Sequence, residues 1–215
     1  GKDITLTLDI RLQYYAQEIF GKMKGAVVAI EPSTGEILAM YSNPSYDPNP
    51  FVRGIRGGEY QRLLNNPGHP LINRATQGGY APASTVKPLM CLMGLNEGLI
   101  TPSSSFFGPP YFKLPGSTHQ FRDWRPWGHG WMDLYRAIEI SADTYFYDLA
   151  YRAGINRIHD YLDRYGLKRK TGIDLSEESL GINPSRDWKR KRFRQPWHLG
   201  DTVPIGIGQG YWTST

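Results

Sequence analysis

Ser84 and Lys87 stand three positions apart in Tyr80-Ala81-Pro82-Ala83-Ser84-Thr85-Val86-Lys87-Pro88, and an apolar run, Leu89-Met90-Cys91-Leu92-Met93-Gly94-Leu95, follows at once. A helix starting here places positions i and i+3 on one face, so the amine sits beside the hydroxyl. A serine hydroxyl is a poor nucleophile until a neighbouring base takes its proton, and an unprotonated lysine can be that base. The helix N-terminus adds partial positive charge where an alkoxide or oxyanion would develop. The chemistry this spacing suggests is acyl transfer through an acyl-serine, with Ser84 as nucleophile and Lys87 as base. An ammonium titrates near ~10.4 in water, so a lysine acting as base near neutral pH needs roughly 4–5 kcal/mol of differential stabilisation. Burial among the apolar helix residues could supply it. A charged Lys87 that orients Ser84 and stabilises the oxyanion is the alternative, and the sequence leaves both open. The same residues also fit an ordinary N-cap, Ser84 or Thr85, with a solvated lysine one turn on.

Other reactive side chains narrow the field. Ser141-Ala142-Asp143 lies in a break between two helical patterns, which would expose Ser141. An N-cap for the helix from Thr144 onward is its structural alternative. Asp123 and His129 flank an aromatic, glycine-rich loop with Trp124 and Trp127. Two such groups could contribute to a zinc site, but zinc wants three or four protein ligands, so a structural Asp–His hydrogen bond is expected instead. The single cysteine, Cys91, excludes an intrachain disulfide and sits where a buried, inert thiol is expected. The net charge of +5 is concentrated in Arg186-Asp187-Trp188-Lys189-Arg190-Lys191-Arg192-Phe193-Arg194. No nucleic-acid module accompanies that run, which reads as a solvated face or one meeting an anionic membrane surface.

The elements that must position these groups follow from the pattern. The chain has 215 residues, 40% of them apolar, enough for one large domain or a domain with an appendage. No apolar run reaches the length of a membrane span, and the start carries no secretory leader, so any anchor is expected upstream of Gly1. Ile4-Thr5-Leu6-Thr7-Leu8 alternates like a strand. Asp9 caps a helix from Ile10 to about Met23 whose apolar stripe is Leu12, Tyr15, Ala16 and Ile19. Residues 26–30 and 36–40 flank Pro32-Ser33-Thr34-Gly35 and predict an antiparallel hairpin, apolar enough to be covered on both faces. Residues 42–79 and 101–131 read as irregular, with a helix from Ser84 to about Glu97 between them. Further helices are expected over 133–139, 144–152 and 155–165, the last closed by Gly166.

Together the motifs resemble the class B penicillin-binding proteins, and are closest to the branch that serves cell elongation. Pro82-Ala83-Ser84-Thr85-Val86-Lys87, Ser141-Ala142-Asp143 and Gly206-Ile207-Gly208-Gln209-Gly210 carry the resemblance. Leu6-Thr7-Leu8-Asp9, the Glu31–Met40 hairpin, Pro44–Asn49, Asn73–Gly78 and Gly172-Ile173-Asp174-Leu175 extend it over nearly the whole chain. It implies a peptidoglycan D,D-transpeptidase that cross-links stem peptides through an acyl-serine and is acylated by β-lactams. The expected partners are stem peptides, β-lactams and a membrane-embedded glycan polymerase, on the periplasmic face of the inner membrane, with no cofactor, no metal and no nucleic acid. A serine β-lactamase, a D,D-carboxypeptidase and a non-catalytic penicillin sensor are the alternatives. The expected fold is α/β (α+β) of the β-lactamase/transpeptidase type, an antiparallel sheet with helices on both faces plus a helical subdomain. Residues 1–42 would supply a helix and the hairpin, and residues 80–200 the subdomain holding the active-site serines. The C-terminal part of the fold is expected outside this chain.

Within the resemblance, Ser141 relays a proton to the leaving nitrogen and Asp143 takes a substrate-binding position. The family commonly carries asparagine there. A carboxylate only accepts hydrogen bonds, so Asp143 is expected to hold Lys87 or a nearby backbone N–H. Ala83 replaces a commoner glycine and is expected at negative φ. Lys170-Thr171-Gly172 imitates the family's third motif but is followed by Ile173 and precedes the Gly206–Gly210 segment, so it is read as a decoy, with the true Lys-Ser/Thr-Gly-Thr strand beyond Thr215. Without that strand one oxyanion donor is missing, which can cost ~2.7–4 kcal/mol in the barrier, and the chain alone is expected to be inactive. Some relatives hold zinc near Asp123 and His129; here Gly108 and Ala142 offer no side-chain ligand to complete such a site.

Overall fold

The computed structural model describes residues 2–214. They divide into two compact units, one of residues 2–79 and 174–179, the other of residues 80–173 and 180–214. Among the described residues no helix is long and apolar enough to cross a membrane.

The first unit opens with α1 (Ile10–Phe20), capped as the sequence predicts by the Asp9 carboxylate, which accepts from the Arg11 N–H. It is capped by Gly21, whose φ of 48° ends the helix at Phe20, three residues before the expected Met23. Next come β1 (Gly25–Ile30) and β2 (Ile37–Asn43), antiparallel, with Val28 opposite Met40 and a register shift after Ala29. Gly35 closes their turn at φ 78°, where its N–H donates to Glu31 O over 2.8 Å. Two expectations fail here. Residues 4–8 form no strand: Thr7 Oγ1 donates to Ile37 O, Asp9 N just after them donates to Leu38 O, and Ile4 and Leu6 stay exposed. Of the apolar stripe expected on α1, Ala16 is buried and the other three residues are not. The helix meets β2 through Gln13 and Phe20, whose ring lies 5.7 Å from that of Tyr41, and the Gln13 amide both donates to Met40 O (2.6 Å) and accepts from Met40 N (2.9 Å). A side-chain amide thus completes a strand edge with no ladder partner. Leu12, Tyr15 and Ile19 remain exposed, as do Val27, Val28 and Ile30, so the two-sided cover expected of the hairpin is incomplete among the described residues.

The stretch 42–79 is less irregular than its turn signals suggest. It contains α2 (Asn49–Val52), α3 (Gly57–Leu64) and α4 (Arg74–Gln77), the last packed on both strands. Polarity hid α3, which has no buried residue.

The second unit is mainly helical. A 3-10 turn (Ala83–Val86) runs into α5 (Lys87–Asn96). Residues 101–131, expected to be irregular, fold as nested ribbons. The outer one pairs β3 (Phe106–Gly108) with β6 (Gly130–Met132); the inner pairs β4 (Tyr111–Phe112) with β5 (Phe121–Arg122). Strands of two or three residues leave no readable alternation. After α6 (Leu134–Glu139) comes α7 (Asp143–Arg164), bent at Gly154, which separates the two helical stretches read from the sequence. The unit closes with α8 (Arg186–Phe193), α9 (Leu199–Thr202) and a second 3-10 turn (Val203–Ile207). Its core lies around α7: Phe146, Leu149, Ala150, Ile158 and Leu162 meet Met90 and Met93 of α5, and Val203, Ile205 and Ile207. Gly94 lets α5 approach, since a Cβ there would lie 2.9 Å from Ile100 and 3.0 Å from Leu149.

Candidate active site

The 3-10 turn delivers Ser84 exposed and Lys87 buried. Neither Ser84 nor Thr85 caps α5. Val86 occupies the N-cap without a side-chain bond, and the Thr85 hydroxyl donates backwards to Pro82 O at 2.6 Å. The ordinary capping explanation of the Ser-x-x-Lys spacing is therefore excluded. The Lys87 N–H donates to Ser84 O, tying the two residues into one turn.

The amine of Lys87 points to a turn more than fifty residues away. Its Nζ donates to Ser141 O and Ser141 Oγ, both at 2.9 Å, and to Asp143 Oδ1 at 2.6 Å, and it stands 5.2 Å from the centroid of the Phe146 ring. Three acceptors satisfy the three N–H donors of an ammonium, and a buried charge needs such partners. The expectation that Asp143 holds Lys87 is met. The expected meeting of the lysine with the first serine is not, for among the described residues Ser84 Oγ is not an acceptor of Lys87 Nζ. Helical spacing brings the backbones together, while the long side chain goes to the stronger acceptors.

Ser141 occupies the break between α6 and α7, as expected, but it caps nothing. The N-cap of α7 is Ala142, which has no side chain to offer. The capping acceptor comes from the inner ribbon: Asp123 Oδ2 accepts from Thr144 N at 2.9 Å and from Thr144 Oγ1 at 3.2 Å. Asp123 Oδ1 accepts from Arg125 N and bonds His129 Nε2 at 2.8 Å, which is the expected Asp–His pair. Burial alone would raise the Asp123 carboxyl, but the Thr144 and Arg125 N–H groups and the His129 ring hold it below its usual range. These residues do not fit zinc. Both Asp123 oxygens are engaged, Gly108 and Ala142 lack donor side chains, and no group of three His, Cys, Asp or Glu among the described residues could hold a metal.

Two strained residues bracket the site. Ala83 has φ 51° and Ser141 φ 53°, the left-handed region that costs an L-residue roughly 1–2 kcal/mol. This corrects the expectation of negative φ at Ala83. Gly208 (φ 68°) lies against this turn: its carbonyl accepts from Ala83 N at 2.9 Å, and a Cβ on Gly208 would lie 2.3 Å from Ala83 O. Gly206 likewise presses on Phe146 O, with 2.3 Å left for a Cβ. Of the glycines spaced over 206–210, Gly208 is thus the close approach to the Ser84 turn and Gly206 the close approach to α7.

The remaining motifs behave more plainly. Lys170-Thr171-Gly172 lies in a loop and on no strand, consistent with a decoy. Cys91 is buried, and burial pushes its thiol up to about 12, leaving it unreactive. Of the basic run, Lys189 is buried and bonds Asp201 Oδ2 at 2.6 Å, while Trp188 and Phe193 pack against Tyr211 and each other. Asp123, Gly206 and Gly208 are the supports the sequence did not reveal. Asp123 was visible as a partner of His129, but nothing in the chain links position 123 to Thr144.

A serine on a turn with a left-handed residue before it, an amine fixed one turn on, and a second serine delivered to that amine by a distant helix start make one hydroxyl–amine–hydroxyl constellation. The profile of the penicillin binding protein transpeptidase domain matches residues 25–215, and the chain belongs to that family. It is 52% identical over its full length to the peptidoglycan D,D-transpeptidase MrdA of Escherichia coli K12, covering 34% of that protein. The fold superposes on the crystal structure of Pseudomonas aeruginosa PBP2 in complex with WCK 5153 with a TM-score of 0.94 and 49% identity, over 100% of this chain and 49% of the other. It also matches PBP2 of Helicobacter pylori, solved as a complex with MreC, with a TM-score of 0.92 and 39% identity over 97% of this chain and 38% of that one. The chain spans about a third of the length of the curated relative it matches. The mixed α/β transpeptidase fold expected from the motifs is the one present.

Proposed function

We propose that this chain is part of a peptidoglycan D,D-transpeptidase that cross-links stem peptides through an acyl-serine intermediate and is inhibited by β-lactams. The observation that carries the reading is Lys87 Nζ bonded to both Ser141 Oγ and Asp143 Oδ1, one turn beyond an exposed Ser84. In this reading Ser84 attacks the carbonyl between the last two D-alanines of a stem peptide. Lys87 takes the proton of Ser84 as the hydroxyl attacks, which requires its amine in the neutral form. Ser141, bonded to the same amine, relays that proton to the leaving nitrogen. An amine from a neighbouring stem peptide resolves the ester. Asp143, in the first turn of α7, places the lysine through its 2.6 Å bond to Nζ. Residues 1–215 constitute part of one transpeptidase domain, with 80–200 as the subdomain holding the serines. The substrate grip and second oxyanion donor come from outside this chain. The setting is the periplasmic face of the inner membrane, held by an anchor outside this chain, with a glycan polymerase as partner; a 34% identical structure described as a peptidoglycan synthase complex that coordinates polymerization and crosslinking supports an assembly of this kind.

Labelling the full-length protein with a fluorescent penicillin tests the reading. Stable labelling is expected, lost in Ser84→Ala and slowed about 10²- to 10⁴-fold in Lys87→Ala, the range of a general base. Undiminished labelling of Ser84→Ala would sink it, and rapid loss of the label would point to a hydrolase. Cross-linking of donor and acceptor stem peptides then separates an enzyme from a sensor.

A further inference from the structure

Resting on the role proposed for Ser141 and Asp143, we propose that Asp123 and Trp124 are positioning residues that clamp the turn carrying those two groups from both sides, by hydrogen bonds and without a metal ion. The turn 140–144 has little to hold it by itself. Ser141 is in the left-handed region, Ala142 has no capping side chain, and α6 has already ended. Two consecutive residues just after β5 supply what is missing. Asp123 takes the Thr144 N–H and hydroxyl on the far side of Ser141. Trp124 Nε1 donates to Ile140 O at 3.2 Å on the near side. Asp123 is itself fixed by Pro110 O, which accepts its N–H at 3.0 Å, and by His129, whose own N–H donates to Gly108 O at 2.8 Å. The His129 side chain is 1% exposed and that of Asp123 0%. The outer and inner ribbons thus form a brace whose working end is Asp123-Trp124 and whose load is the placement of Ser141 Oγ and Asp143 Oδ1 on Lys87.

The brace acts on the chemical step. It touches neither Ser84 nor Lys87, so its loss should slow acylation and leave initial capture of the penicillin nearly unchanged. Pre-steady-state acylation of the full-length protein separates those two constants. Asp123→Ala is expected to lower the acylation rate constant about tenfold or more, with the dissociation constant of the initial complex within about twofold. Asp123→Asn keeps an acceptor for the Thr144 N–H and should restore most of the rate. Trp124→Phe is expected to lose about threefold; its ring is 61% exposed, so the substitution leaves the core intact. If the alanine variant does not fold, Asp123→Glu, which keeps the charge and moves the acceptor by one methylene, carries the same comparison. A wild-type rate in folded Asp123→Ala or Asp123→Glu overturns the proposal, as does an equal loss in Asp123→Asn, which would make charge rather than capping the operative property. A fall in rate after removing metal ions from the wild-type protein would overturn its metal-free form. Ser84→Ala run alongside keeps the cases apart: labelling there defeats the acyl-serine reading itself, whereas no labelling there with normal Asp123 and Trp124 variants defeats only the brace.

Discussion

At the level of single residues, the site is held by atoms forced close together. Ala83 holds a left-handed backbone with its N–H on Gly208 O, and the missing Cβ of Gly208 leaves room for the Ala83 carbonyl. A glycine at position 83 would remove the ~1–2 kcal/mol left-handed cost and give back ~0.4–1 kcal/mol through the unfolded chain. Ala83→Gly is therefore expected to stabilise the protein by up to about 1.6 kcal/mol, seen as a rise in denaturation midpoint with penicillin labelling retained. Gly208→Ala should do the reverse and lose about 3 kcal/mol or more, because its Cβ collides with backbone that has nowhere to move. Equal stability of the two variants would show that the turn relaxes freely. Lys87 teaches a related point: its spacing from Ser84 was legible, yet its amine chose a carboxylate, a carbonyl and a hydroxyl that spacing could not name.

Among the elements, α7 does the most to join the core to the chemistry. Its first turn presents Asp143, its middle buries Phe146, Leu149 and Ala150, and its second half buries Ile155, Ile158, Tyr161 and Leu162. One straight cylinder does not make that path, and the bend falls at Gly154, with φ 73° and ψ 155°. That region is open essentially to glycine alone, at a cost of about 1–3 kcal/mol for other residues. A Cβ there would meet nothing within 4 Å, so any penalty is purely conformational. Gly154→Ala is expected to destabilise by about 1–3 kcal/mol in chemical denaturation, and no change would mean that the helix runs straight in solution. The two helical stretches on either side were readable from periodicity. The nested ribbons were not, because their strands are too short to alternate, and it is they that carry Asp123 and Trp124 to the Ser141 turn.

For the whole molecule, charge and titration set the response to acid. Asp9 is lowered to about 2 by hydrogen bonds from the Arg11 side chain and N–H, and Asp123 is lowered despite burial by its N–H donors. Both carboxyls titrate below the ordinary unfolded value of about 4. Their ionised forms therefore add stability above that pH, and the gain is lost as pH falls through the depressed native values. Asp148, raised by burial, works in the opposite sense and offsets part of this. Stability measured by denaturant between pH 5 and about 2 should fall, and the fall should be shallower in Asp123→Asn. An identical acid profile in that variant would mean that Asp123 is not ionised in the fold. Basic charge weighs less on stability than on contacts. Of the run 186–194, Lys189 is buried against Asp201, while Arg190, Lys191, Arg192 and Arg194 face solvent.

Residue type and local spacing by themselves determined the nucleophile turn, the helices that follow it, the hairpin and the resemblance that named the family, because those features are written within one or two turns of chain. Only tertiary structure decided which acceptors Lys87 meets, that Ala83 and Ser141 are strained, that Gly208 is the strut behind Ser84, and that Asp123 caps a helix it does not belong to. Each of those depends on backbone brought together across gaps of twenty to more than a hundred residues, where hydrogen-bond geometry and excluded volume act between segments whose sequences carry no mark of each other.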